Sequence, residues 1–204
     1  MNGYPLAQEY PSPNFRRSRR AAIDHVVIHT TELGESQSLF ALTDPDRTVI
    51  NEEGEIERAR VSSHYVVTPD KVYQLVDDGD EAWHAREANS HTIGVEVVGE
   101  AADPRTWSEE VVERLSALVA WLSSEYGIPL EYRATHEEPE QARGFVAHAA
   151  LDPTRRTDPG MWFPWPEVRA QALRIQSGAG APPSDAAAII GLLIVALGLA
   201  WALK

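Results

Sequence analysis

The chain opens without periodicity. Residues 1–20 are mostly polar, and Pro5, Pro11 and Pro13 disfavour a helix, so this stretch predicts an extended arm. The first apolar run, Ile23 to Thr30, reads Ile-Asp-His-Val-Val-Ile-His-Thr, is dense in β-branched residues and predicts a buried strand. Its period of two places His25, Val27 and His29 on one face and Asp24, Val26 and Ile28 on the other. Glu35 to Leu42 suits a short helix that ends near Asp44-Pro45, and the charged stretch from Val49 to Arg60 predicts a loop or an edge hairpin. Val61 to Thr68 and Val72 to Val76 flank Thr68-Pro69-Asp70-Lys71, turn chemistry that predicts a hairpin. Asp77 to Ser90 is polar and irregular but carries Trp83, His84 and Asn89.

Thr92 to Gly99 predicts a further strand, with Glu96 as its single carboxylate among aliphatics. The clearest helix runs from Trp107 to Tyr126. Ser108 can cap it, Glu109 and Glu110 suit its N-terminal dipole, and Val111, Leu115, Leu118, Val119 and Leu122 recur at helical spacing before Gly127 and Pro129 end it. Tyr132 to His136 suits a short strand. Residues 148–160 form a turn-rich loop, and Trp162 to Gln176 suits a closing helix. The expected fold class is α/β: a mixed central sheet of roughly five or six strands flanked by helices. The expected layout is an arm at 1–20, a main domain at 21–176, a flexible Gly/Ala/Pro/Ser linker at 177–185 and an apolar segment at 186–203. That last segment has no charged residue, just reaches the length of a membrane span, and places Trp201 and Lys204 where interfacial anchors sit, so a transmembrane helix is expected there.

Composition narrows the chemistry. With 18 Lys plus Arg against 31 Asp plus Glu, the formal charge is -13, which argues against general affinity for nucleic acid. Arg16, Arg17, Arg19 and Arg20 read as a solvated arm and not as a nucleic-acid patch. No cysteine is present, so a metal site must be built from His, Asp or Glu. The first residues lack the charged start and apolar run of a secretory signal peptide. A monomer is expected, tethered to a membrane if the C-terminal segment spans one.

The 148–160 loop holds a histidine, two arginines and two carboxylates, Asp152 and Asp158. Imidazole and carboxylate are ligand types of a hydrolytic zinc centre, which takes three protein ligands and leaves a position for water. His29 closes a buried strand, where a side chain emerges from a sheet into a cleft. On residue chemistry alone, both carboxylates of the loop qualify.

Five segments in order carry a resemblance: Val-Ile-His-Thr at 27–30, Ser-His-Tyr-Val-Val at 63–67, Ala-Trp-His-Ala at 82–85, Asn-Ser-His-Thr-Ile-Gly-Val-Glu at 89–96, and the His148 to Asp158 loop ending Thr-Asp-Pro-Gly. Over about residues 14–170 the chain resembles the zinc-dependent type 2 N-acetylmuramoyl-L-alanine amidases, a family that spans phage endolysins, muropeptide-recycling amidases and peptidoglycan recognition proteins. The resemblance implies one zinc ion held by His29, His148 and Asp158, with Asp152 set aside. It implies Glu96 as the carboxylate that moves protons, and Arg156 in the place where many relatives carry a lysine beside the oxyanion. Trp83, His84 and Asn89 correspond to a substrate-lining wall. Some relatives carry a catalytic tyrosine where this chain has Ser63, which moves the proton-transfer role to Glu96. The implied reaction is cleavage of the amide between N-acetylmuramic acid and L-alanine in peptidoglycan. A phage endolysin, placed in a host cytoplasm or tethered by the C-terminal segment while acting on the cell wall, is the first expectation, with a cytoplasmic muropeptide-recycling amidase or a non-catalytic peptidoglycan-binding module as alternatives.

Overall fold

The computed structural model describes residues 1–50 and 54–179. In chain order its strands are β1 (Gln8–Glu9), β2 (Phe15–Arg16), β3 (His25–Thr30), β4 (Thr48–Ile50), β5 (Ile56–Arg58), β6 (Tyr65–Val67), β7 (Val72–Gln74), β8 (Glu81–Ala82), β9 (Thr92–Val97), β10 (Tyr132–Arg133) and β11 (Gly144–Ala147). The α-helices are α1 (Glu35–Thr43), α2 (Glu109–Tyr126), α3 (His148–Leu151) and α4 (Trp165–Gln176). Short 3-10 turns cover Arg86–Ser90 and Pro104–Trp107.

A mixed seven-stranded sheet, ordered β1-β7-β6-β9-β3-β11-β10, forms the centre, one or two strands wider than the sequence pattern predicts. β3 lies between β9 and β11 and is parallel to both, and only the β6–β7 hairpin is antiparallel. β4 and β5 make a separate hairpin, the second of the two forms expected for residues 49–60.

Period-two alternation decides what each face meets. Val26, Ile28, Ile93, Val95 and Phe145 pack under α2 and α4, where Leu115, Leu118, Val119, Val168 and Ala172 are buried. Fully burying each such side chain contributes about 1.5–3 kcal/mol, and this layer is the main core. Ser108 caps α2 by accepting the Val111 N–H, and Gly127, with φ of 61°, lets the chain leave in the left-handed region. On the opposite face Leu39 and Leu42 of α1 cover Val66, Tyr73 and Leu75. That face stays open over the C-terminal ends of β3 and β9.

The N-terminal residues do not form the free arm that their composition suggests. β1 adds a parallel edge to β7, and β2 pairs with β8. Tyr4 is buried; its N–H donates to the Tyr65 hydroxyl at 2.9 Å, which donates to Asp78 at 2.8 Å. Tyr126 donates to the other Asp78 oxygen at 2.7 Å. Burial nevertheless pushes the Asp78 carboxyl up to about 6. The arginines are not simply solvated either, since Arg20 pairs with buried Glu81 at 2.9 Å and Arg19 reaches the Thr92 carbonyl at 2.9 Å. Proline and low apolar content argue against a helix but do not preclude strands that borrow their partners from distant sequence.

The expected transmembrane segment at 186–203 and most of the 177–185 linker lie outside the described residues. Among the described residues no helix is long and apolar enough to cross a membrane. Deleting residues 1–12 is expected to destabilise the domain by at least ~2 kcal/mol, since it removes the buried Tyr4 ring and the β1 edge. Urea unfolding of the two forms checks this; equal midpoints and slopes would mean that the segment is a solvated arm after all.

Candidate active site

Parallel pairing builds the site. In the β3–β9 register His29 stands opposite Glu96, and in the β3–β11 register Ile28 stands opposite Ala147, which brings the next residue, His148, beside His29. Side chains thus gather at the C-terminal ends of three adjacent parallel strands, where open sheets of this kind place their clefts. Asp158 arrives from the loop beyond α3. The Ala149 N–H donates to the Asp158 carbonyl at 2.9 Å and folds the loop back onto its start. Gly160, with φ of 84°, passes so close to the Ala101 carbonyl that a Cβ would lie 2.4 Å from its oxygen, so the turn needs glycine there.

Three ligating atoms converge. His29 Nδ1 lies 2.9 Å from His148 Nδ1 and 3.2 Å from Asp158 Oδ2, and His148 Nδ1 lies 3.0 Å from the same oxygen. All three residues are buried. Asp152, the other carboxylate that residue chemistry admits, instead pairs with Arg155 away from this cluster. Burial lowers the His29 pKa to about 4, so its ring is neutral and available as a ligand.

His84 lines the cleft and also contacts His29. Its ring stands over Gly94, where a Cβ would come within 2.5 Å of the imidazole. The Thr92 hydroxyl donates to the Ala88 carbonyl at 2.8 Å, so its oxygen accepts from His84 Nε2 at 3.1 Å. Neutral His84 then has a bare Nδ1, which accepts from His29 Nε2 at 3.1 Å. That leaves His29 Nδ1 bare and aimed at His148 and Asp158. Burial, followed by the neighbouring histidines, keeps the His84 pKa well below its ordinary value, as this chain of donors requires. His64 extends the buried network: its Nδ1 accepts the Gly94 N–H at 2.9 Å.

Trp83 and Arg156 line the same cleft, a cavity of about 270 Å³, together with Glu96, Thr31 and Arg47. Arg60 lies over the Trp83 ring at 4.9 Å. Asn89 is not among the lining residues; its Oδ1 accepts the N–H groups of His84 and Ala85 at 3.1 and 2.7 Å and so shapes the loop that carries them. The Glu96 Oε2 atom is buried with no hydrogen-bond partner, and burial first, then the Asp158 charge, pushes its pKa up to about 8. Arg156 is exposed at the cleft. Ser63 is fully buried with its hydroxyl unpartnered and does not border the cleft.

The family model described as N-acetylmuramoyl-L-alanine amidase matches residues 19–161, well over half of the chain. The chain belongs to the N-acetylmuramoyl-L-alanine amidase family. It is similar to N-acetylmuramoyl-L-alanine amidase A of Achromobacter lyticus, at 29% identity over 150 residues that cover 69% of this chain and 77% of that protein. It is also similar to the 1,6-anhydro-N-acetylmuramyl-L-alanine amidase AmpD of Salmonella typhimurium, at 28% identity over 182 residues, covering 80% of this chain and 89% of that one. Among solved structures, an AmpD crystal structure superposes with a TM-score of 0.63 at 23% identity, covering 82% of this chain and 95% of the other. The Escherichia coli amidase AmiD, solved with anhydro-N-acetylmuramic acid-L-Ala-D-γ-Glu-L-Lys, gives a TM-score of 0.54 at 26% identity, covering 76% and 60%. The enzyme class of this chain is accordingly that of an N-acetylmuramoyl-L-alanine amidase.

Thr92 is the residue of this amidase that sequence pattern does not single out. Alternation gives a usable signal, since Thr92, Gly94 and Glu96 share a face of β9, but nothing local indicates which histidine lies over that face. Thr92→Val should weaken by roughly 10- to 100-fold the hold on any metal ion that His29, His148 and Asp158 bind, with the fold retained, because the His29 tautomer loses its anchor. Competition with a chromophoric chelator measures this, and unchanged affinity would refute the donor chain. Glu96 gives a pH-dependent outcome in chelator-treated protein. Its folded value of about 8 exceeds the ordinary 4.5, so the folded chain keeps a proton that the unfolded chain loses between those values, and stability falls as pH rises through that window. Glu96→Gln should therefore match wild type below about pH 4.5 and melt several degrees higher above about pH 8.

Proposed function

We propose that this chain is a zinc-dependent amidase that cleaves the bond between the lactyl group of N-acetylmuramic acid and the L-alanine of muropeptides. The observation that carries the reading is the convergence of His29 Nδ1, His148 Nδ1 and Asp158 Oδ2 at 2.9 to 3.2 Å. Three electron-rich atoms directed into one space repel unless a cation or a proton lies among them. Two imidazoles and one carboxylate are a donor set that suits a single zinc ion, and these residues would hold it. When bound, zinc polarises the amide carbonyl and makes water a nucleophile near neutral pH.

The remaining steps belong to the chain's own side chains. Glu96, opposite His29 across the strand pair, takes a proton as water oxygen adds to the carbonyl carbon. Its buried surroundings favour the protonated form, which then returns the proton to the alanine nitrogen as the carbon–nitrogen bond breaks. The guanidinium of Arg156 faces the cleft and offsets the negative charge that develops on the carbonyl oxygen. Trp83 supplies an apolar wall for sugar or peptide.

The endolysin expectation gives way to the recycling alternative as the substrate reading. The relatives matched over most of their length include amidases named for 1,6-anhydro-N-acetylmuramyl-L-alanine, and AmiD was solved with an anhydro-muropeptide. Some endolysins share the fold at lower identity, one from Clostridium intestinale at 18% with a TM-score of 0.50. A non-catalytic module finds no support in a site that keeps all three ligand candidates and Glu96 together.

Zinc-loaded protein is expected to release the stem peptide from soluble 1,6-anhydro-muropeptide faster than it solubilises intact cell wall, followed by chromatography of the free peptide. Asp158→Ala should lose both bound zinc and peptide release, whereas Glu96→Gln should keep zinc and lose at least ~100-fold in rate. Activity and metal content retained by Asp158→Ala would overturn the ligand assignment; a preference for intact wall would return the endolysin reading.

A further inference from the structure

A second set of metal-ligating side chains lies at the other end of β3. Asp24 precedes this strand, His25 opens it, and His91 precedes β9, whose Thr92 pairs with His25. The Nδ1 atoms of His25 and His91 each stand 2.7 Å from the same oxygen, Oδ1 of Asp24. The three ligating atoms lie within 4.8 Å of one another. Side-chain exposures of 16% for His25, 36% for His91 and 38% for Asp24 leave the cluster open to an entering ion.

The second nitrogen of His25 decides how the cluster reads. Nε2 lies 3.0 Å from the backbone carbonyl of Gln141, which can only accept, so Nε2 carries the ring proton. In the neutral ring Nδ1 is then a bare lone pair held 2.7 Å from a carboxylate oxygen. That contact is repulsive unless positive charge lies between the two atoms, as a second proton or as a metal ion. A carbonyl accepting the distal N–H is also how metal-binding imidazoles are oriented in proteins. Glu140 borders the small cavity beside His25 and His91 and offers a further oxygen nearby.

We propose that Asp24, His25 and His91 form a second divalent-metal site, with the imidazole and carboxylate donors that suit zinc, nickel or copper(II). His25 and His29 are four residues apart on one strand, so the two sites are separated by ~13 Å. Two ions that share a substrate lie ~3.5–4 Å apart, so this second ion takes no part in hydrolysis. It ties the start of β3 to the residue before β9 and to the Gln141 segment, and adds to stability.

The test uses the full chain carrying His29→Ala and Asp158→Ala, which removes the donors of the cleft, titrated with zinc alone by calorimetry and by thermal melting. One equivalent of zinc should bind and raise the melting temperature, and adding either His91→Ala or Asp24→Asn should abolish both effects. No binding in the parent, or binding undiminished in those variants, overturns the proposal and leaves a proton as the bridging charge. Should the parent fail to fold, metal counting on the otherwise wild-type chain decides: two ions for wild type and one for His91→Ala, with amidase activity unchanged. Equal counts in the two proteins overturn it.

Discussion

Three ligand-type atoms brought to one point form the constraint on which the catalytic end of this molecule rests. Without a cation or a proton between them, His29, His148 and Asp158 repel one another, and the fold must hold them together against that repulsion. It does so with rigid elements: two parallel strand pairings set His29 and His148 side by side, and a backbone hydrogen bond from Ala149 returns Asp158 to them. Orientation comes through the donor chain Thr92, His84 and His29, which presents a bare nitrogen to the cluster. A loop alone would not supply such placement, because its entropy would spread the ligands over many arrangements.

Energetics elsewhere follow from the same sheet. One face is closed by α2 and α4 over a continuous aliphatic layer, which supplies most of the burial and leaves the other face free to carry polar residues. The polar side chains there are costly to bury, and they are paired almost throughout. Glu96 is the exception near the cleft, with one buried oxygen lacking a partner. An uncompensated carboxyl destabilises the metal-free fold as it ionises and is chemically useful for the same reason: its raised proton affinity suits a group that must accept a proton and give it back.

Much of the site is legible in the amino-acid sequence. Strand β3, helix α2 and the β6–β7 hairpin show in local pattern, since burial and turn chemistry leave short-range signatures, and His29, His148 and Asp158, which the fold brings together, stand in ordered motifs. Legibility fails where the partner is distant. Residues 1–20 read as an arm because β1 and β2 are two residues each and carry no alternation of their own; they exist because β7 and β8 offer free edges. Arg19 reads as solvated because nothing local reveals that the Thr92 carbonyl awaits it. Nor does anything local show that His84 also accepts from His29 or that Asn89 shapes the loop that carries His84.

What the sequence determined by itself is the chemistry on offer: no thiol, an acidic surface, histidines and carboxylates as the available ligands, and alternation that assigns His25 and His29 to a common face. Tertiary structure decided how those groups are used. Strand register selected Glu96 as the residue opposite His29, the folding back of the loop preferred Asp158 over Asp152, and close approach over Gly94 put His84 against His29. The physical reason is that residue type and spacing define what a side chain can donate or accept, while its function depends on which lone pair faces which partner. That is settled only when strands distant in sequence lie a hydrogen bond apart.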